Sequence, residues 1–252
     1  MSTLVETGDR RIAAVRTSRW WKVARELGYL VAFAYFYELI RGLMVQSGAV
    51  ATKHALWVID AERSLGILWE RSIQAVFLPY DAVIQFFNLY YGGTHFLVPA
   101  AVLIGVAVRY PEHYPRTRTL LAVTTAIGFA CFAVFPVAPP RLMPDQLGIV
   151  DTIRHSHGLR AASTLMDRSG NAYAAMPSLH LAWAVWPTVA LYPLLRARWT
   201  RVVAVAYPVV TTFDVVITGN HYLLDCVAGA ALVFLAAWLI RQVEARLALR
   251  RA

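Results

Sequence analysis

Charge is scarce in this sequence. Asp, Glu, Lys and Arg make up 15% of its 252 residues, against about a quarter in a soluble domain, which excludes an ordinary water-soluble globule. Cysteine is rarer still. Cys131 and Cys226 both sit inside apolar runs and neither has metal-ligand spacing, so a disulfide framework is excluded and buried free thiols are expected. Internal repeats and low-complexity tracts are missing, which excludes a solenoid or an array. What fills the chain is apolar: 58% hydrophobic residues and a mean hydropathy of +0.51. A soluble chain of this length would bury one core yet keep a charged surface, so the apolar surplus must face lipid.

Six apolar stretches, near 27–46, 82–108, 119–136, 179–196, 201–218 and 222–240, can cross a hydrocarbon core about 30 Å thick as helices. The fold class expected is therefore an all-α integral membrane protein with six transmembrane helices. Gly92, Gly93 and Pro99 interrupt the second stretch, which is expected to tilt or break there. The basic N-terminal tail, Arg109 to Arg118, Arg196 to Arg201 and Arg241 to Arg251 alternate between spans and share one face. By the positive-inside rule both termini are cytoplasmic, and 47–81, 137–178 and 219–221 lie outside. The net charge of +9 thus belongs to membrane flanks, and no nucleic acid partner is expected. The division that follows is a cytoplasmic segment 1–26, a six-helix membrane domain 27–240 and a cytoplasmic basic tail 241–252. No small-residue cleavage site follows the basic N-terminal stretch, so 27–46 is read as a retained span. Arginine and alanine enrichment with few lysines points to a high-GC bacterium and so to a plasma membrane. The segment Ala61 to Glu70 mixes charged and apolar residues and is expected to be a short amphipathic helix on the headgroups.

Chemistry concentrates on the outer side. A long loop, 137–178, runs between spans 3 and 4 from Pro139-Pro140-Arg141 to Pro177-Ser178-Leu179-His180, and loops of that length are often functional. Pro177 suits a helix N-terminus, whose unpaired N–H groups bind anions. At the start of the last span, His221 and Asp225 stand four residues apart on one helical face. An ionisable pair there is costly and reads as functional. The carboxylate fixes one ring nitrogen as a donor and leaves the other nucleophilic. A cation, a hydroxyl at a helix N-terminus and two histidines, one backed by a carboxylate, are the parts needed for phosphoryl transfer.

Pro177-Ser178-Leu179-His180 and His221-Tyr222-Leu223-Leu224-Asp225 resemble the second and third signatures of the type-2 phosphatidic acid phosphatase superfamily, nearest to its inositol phosphorylceramide synthase-like branch. The resemblance covers roughly residues 80–240. It implies that His221 is the nucleophile, that Asp225 orients it and that His180 protonates the departing group. Ser178 and the Leu179 amide would bind phosphate oxygens, with no cofactor and no metal. Arg141 carries over from the first signature, Lys-x6-Arg-Pro, although here the order is Pro-Pro-Arg and Val134 occupies the lysine spacing. In the third signature a Ser-Arg pair precedes the histidine, where this chain has Asp214 and Val215. That loss fits the synthase-like branch and a less highly charged substrate.

The activity expected first is hydrolysis of a lipid phosphomonoester or diphosphate on the extracytoplasmic side, through a phosphohistidine. The alternative is transfer of a phospho-headgroup to an alcohol such as inositol. A non-catalytic lipid-phosphate binding or transport protein is the second alternative, which an oriented nucleophile argues against. Asn88, Tyr90, Tyr91 and His95 are expected to serve helix packing. His155 and His157 are read as solvated loop residues, and Asp214 is left outside the core set.

Overall fold

The computed structural model describes residues 47–155 and 172–250, with helical backbone at some positions between 21 and 39. The segment 1–26, the first expected span 27–46, His157 and residues 251–252 lie wholly or largely outside the described residues. Among the described residues every regular element is a helix, with one isolated bridge between Val137 and Ala174.

The outer segment opens with α1 (Gly48–Leu65), which ends where Gly66 turns left-handed at φ 69° and its N–H returns to the Arg63 and Glu62 carbonyls. After it comes α2 (Glu70–Phe77). The single amphipathic helix expected over 61–70 is therefore two helices with a break, because a left-handed residue stops an α-helix and glycine alone adopts that turn cheaply. Nor do its two carboxylates face headgroups, since Glu62 and Glu70 are buried at 0% and 1% exposure.

Four described helices are long and apolar enough to cross a membrane: α3 (Asp81–Arg109), α4 (Tyr114–Val134), α8 (Arg198–Ile217) and α9 (Leu223–Leu249). Their outer faces carry Phe86, Leu97, Val203, Phe213, Phe234 and Trp238 exposed, the pattern of a protein solvated by hydrocarbon. The break expected in the second span is absent: α3 runs unbroken through Gly92, Gly93 and Pro99. Pro99 removes only the bond to the His95 carbonyl, and its ring is buried among neighbouring helices, which is how spans tolerate proline.

Between α4 and the next long helix lie a 3-10 turn (Pro140–Leu142), α5 (Pro144–Leu147), α6 (Thr152–His155) and α7 (Leu179–Leu191). The fourth expected span, 179–196, thus contains a helix of 13 residues followed by a 3-10 turn through Pro193, about 20 Å of α-helix. It sits at the centre of the bundle and packs on α3, α4, α8 and α9. Its apolar positions face protein on every side: Leu179, Leu181, Trp183, Ala184 and Trp186 are all buried. Trp183 Nε1 donates to Thr125 Oγ1 and Trp186 Nε1 to the Thr117 carbonyl, pinning α7 to α4. A second cluster, Ala51, Ile59, Val137, Met143, Ile149, Ala175 and Tyr222, fastens the 137–155 segment over α1 and the start of α9. The N-termini of α7 and α9 are thereby held side by side.

Candidate active site

Each of the two motifs forms a helix N-terminus. Ser178 is the N-cap of α7, and its hydroxyl oxygen accepts from the Leu181 N–H at 3.2 Å, a bond that fixes where the helix begins. Leu179 opens the helix and His180 follows, half-buried. Tyr222 caps α9, and the Asp225 carboxylate reaches back to accept the Tyr222 N–H at 2.9 Å, the N3 half of a capping box, while the Tyr222 hydroxyl donates to the Ala138 carbonyl. The termini are joined through main chain: Ser178 N–H donates to the Asp225 carbonyl at 3.0 Å. Gly229, one turn beyond Asp225, allows the approach. A Cβ there would lie 2.3 Å from the Ser178 carbonyl oxygen.

His221, His180, Asp225 and Ser178 are brought together. His221 Nδ1 lies 2.8 Å from the Ala175 carbonyl and 3.4 Å from Asp225 Oδ2. A carbonyl only accepts, so Nδ1 carries the hydrogen and Nε2 presents the lone pair. The stronger tether of the ring is thus the backbone of the Ala175 turn, with the carboxylate second. His221 Nε2 faces His180 Nδ1 at 3.4 Å. Both His221 and Asp225 are buried, at 3% and 0% exposure, while His180 is half-buried.

Arg141 is close to this group and already engaged. Its backbone N–H donates to the Gly219 carbonyl, its Nε to Asn220 Oδ1 at 2.9 Å, and its guanidinium lies 3.8 Å from Asp151. The link runs through Gly219, at φ 71°, where a side chain would strain the backbone and crowd Ile149. The guanidinium therefore braces the turn that precedes His221.

Two residues set aside as packing stand against His180. Tyr91 stacks on His180 with centroids 4.3 Å apart, and His95 meets His180 edge-on at 4.4 Å. His95 Nδ1 is tied to the Tyr91 carbonyl one turn back. The spacing of Tyr91 and His95, four apart on one face of α3, was the available signal. Asn88 holds Thr152, and Tyr90 bonds Thr211 across to α8. Asp214 is buried on α8 with one carboxylate oxygen lacking a partner. Among the described residues no group of three or more His, Cys, Asp or Glu side chains could hold a metal ion. Glu62 and Glu70, which sequence reasoning placed on a headgroup surface, instead reach the first turn of α9.

A helical membrane bundle that holds two histidines in contact from adjoining helix N-termini, one of them backed by a carboxylate four residues on, has the build of a lipid phosphatase or phosphotransferase. Residues 56–239 match the PAP2 superfamily, and the chain belongs to it. Members of that superfamily are generally phosphatases or phosphotransferases. The phosphoinositol dihydroceramide synthase of Bacteroides thetaiotaomicron is 25% identical over 166 residues, which cover 56% of this chain and 51% of that protein, so the match spans about half of the relative's length. This likeness agrees with a place near the inositol phosphorylceramide synthase-like branch. No solved structure matches the chain.

Proposed function

We propose that the protein cleaves a phosphoester of a membrane lipid on the extracytoplasmic side and passes the phospho group, held on His221, to an alcohol. The observation that carries this is the pair of facing nitrogens, His221 Nε2 and His180 Nδ1, with the far nitrogen of His221 fixed as a donor by the Ala175 carbonyl. In the first half, Nε2 attacks phosphorus, the P–O bond to the leaving group breaks, and His180 gives that oxygen its proton. In the second half, the acceptor hydroxyl attacks phosphorus, its proton goes to His180, and the N–P bond breaks. In-line transfer puts a phosphorus and an oxygen between the two nitrogens, so His180 turns out of its 3.4 Å contact when substrate enters. Asp225 shares the Nδ1–H and steadies the charge that develops on the ring, while Ser178, the Leu179 N–H and Arg141 bind phosphate oxygens. No metal or cofactor is required.

An alcohol is favoured over water because Asp214 and Val215 stand where the third signature of the phosphatases has a Ser-Arg pair, and because the relative is named a phosphoinositol dihydroceramide synthase. The phosphoinositol group of phosphatidylinositol is then the donor group to test first, with a lipid alcohol as acceptor. Hydrolysis shares the whole first half and is the second reading, supported by superfamily membership. In both, six spans cross the membrane, with 27–46 and 179–196 joining the four long helices, and the basic flanks 1–26 and 241–252 are cytoplasmic.

The deciding experiment gives detergent-purified protein phosphatidylinositol with dihydroceramide and, separately, phosphatidic acid, each with EDTA and with His221→Ala as control. Phosphoinositol appearing on dihydroceramide supports transfer, and inorganic phosphate from phosphatidic acid supports hydrolysis. Turnover by His221→Ala equal to wild type would overturn both.

A further inference from the structure

Behind His221, on the side away from His180, two carboxylates from the α1–α2 segment close on the start of α9. Glu70 Oε1 accepts the Leu223 N–H at 2.9 Å, and Glu62 Oε1 accepts the Leu224 N–H at 2.7 Å. With Asp225 Oδ2 on the Tyr222 N–H, three consecutive backbone donors of one helix terminus end on three carboxyl groups. A single N-capping oxygen normally does this work. All three carboxyl groups are buried, at 1% exposure or less, and each keeps one oxygen, Glu62 Oε2, Glu70 Oε2 and Asp225 Oδ1, with no donor. The Glu62 and Glu70 side chains interact directly. Two ionised carboxylates in contact and out of water repel strongly, whereas one proton between them supplies the missing donor and removes one charge.

We propose that Glu62 and Glu70 are positioning residues for His221: a carboxyl pair that shares one proton and clamps the first turn of α9. This rests on the reading of His221 as the phosphate-bearing residue. The clamp acts on the two peptide groups that follow Tyr222, so it sets where the turn carrying His221 sits relative to the α7 N-terminus. The protonation state agrees. Burial, and then the charges of Glu70 and Asp225, push the Glu62 carboxyl up to about 9. The titratable groups that face it are Glu70 from α2 and Tyr222, Asp225 and Cys226 from α9. None of them is a cation.

The sharing makes a particular set of variants informative. In Glu62→Gln the amide oxygen still accepts from Leu224 and the amide N–H replaces the shared proton, so turnover at pH 7 stays within about threefold of wild type. Glu62→Ala frees the Leu224 N–H, and the His221 turn loses a tether. A misplacement approaching 1 Å costs about 10²-fold in kcat, with KM for phosphatidylinositol or phosphatidic acid changed less than twofold. The double variant Glu62→Gln with Glu70→Gln turns two amide N–H groups on each other and should resemble Glu62→Ala. The thermal midpoint supplies a second readout. A carboxyl whose folded pKa lies above its unfolded value favours folding below the unfolded value and loses that contribution as pH rises through the folded one. Wild type is therefore expected to lose more stability than Glu62→Gln between pH 5 and 9.

Equal pH dependence of melting in wild type and Glu62→Gln overturns the shared proton. A Glu62→Ala protein, or the double amide variant if Glu62→Ala does not fold, that keeps wild-type kcat overturns the positioning role. Either result leaves His221→Ala inactive if the proposed function holds. An active His221→Ala would instead remove the reading on which the inference rests.

Discussion

Substitution of Gly229 by alanine tests whether the contact between the two motif helices sets the geometry of the histidines. The added Cβ would lie 2.3 Å from the Ser178 carbonyl oxygen and 3.4 Å from the Ala182 nitrogen. Backbone cannot rotate out of the way as a side chain tip can. Ordinary carbon–oxygen contact begins near about 3.4 Å, so α9 and the start of α7 must separate by about 1 Å. The 3.0 Å bond from Ser178 N–H to the Asp225 carbonyl lies on the line of that separation and would be lost. Overpacking costs about 1–3 kcal/mol and the lost bond about 1 kcal/mol, together about 2–4 kcal/mol. At about 2–4 °C per kcal/mol for a chain of this size, the thermal midpoint should fall by roughly 4–16 °C. The same displacement opens the 3.4 Å contact between His221 and His180, and turnover should fall by about 10²-fold. Melting in detergent and the lipid assay, both measured well below the variant's midpoint, read the two effects separately. Gly105→Ala is the control, because nothing lies within 4 Å of a Cβ at that position. A Gly229→Ala protein with the midpoint and turnover of Gly105→Ala would refute the main-chain joint as the determinant of the site.

Gly128→Ala meets the Leu179 side chain tip at 2.6 Å; a terminal methyl can move, so a loss of no more than about 1–2 kcal/mol is expected by melting. His221→Ala should lower turnover by at least about 10³-fold and His180→Ala by about 10²–10⁴-fold while lipid binding persists, and equal loss of binding in His221→Ala would count against a nucleophile. Because one imidazole must be neutral and the other protonated, the rate profile should be bell-shaped with its maximum between about pH 5 and 8; a flat profile at constant fold would remove the two-histidine mechanism. Asp145 is exposed on α5, so Asp145→Cys should react with an impermeant thiol reagent from outside intact cells, and reaction only in inverted vesicles would reverse the orientation.

The long helices were legible because their periodless apolar runs have one physical use: α3 and α8 match the stretches read from composition closely, whereas α4 begins before the expected 119 and α9 continues to Leu249, through most of the segment read as a basic tail. The pairing of His180 with His221 was legible because each sits at a fixed offset from a helix start: Pro177 and Ser178 mark one, and the i,i+4 spacing to Asp225 marks the other. The break at Gly66 had a signal, glycine after a basic last turn, which the charge alternation around it outweighed. Glu62 and Glu70 had none. Each contacts a residue 162 or 153 positions away, and a carboxylate in a mixed segment looks the same on a surface as behind a helix terminus. The Ala175 carbonyl as chief partner of His221 was equally hidden, because main-chain acceptors carry no residue signature. His95 was read as packing, and it does pack, but against His180 itself.

The joint between the two signature helices is made of peptide groups, Ser178 N–H to the Asp225 carbonyl, with a hydrogen atom for a side chain at Gly229. A joint of that composition is indifferent to what the surrounding residues are. The rings that pack on His180, Tyr91 and His95, come from α3, a helix that takes no part in that joint. Frame and lining are thus supplied by separate stretches of chain: α7 and α9 make the joint through their main chains, and α3 supplies the rings that lie on His180.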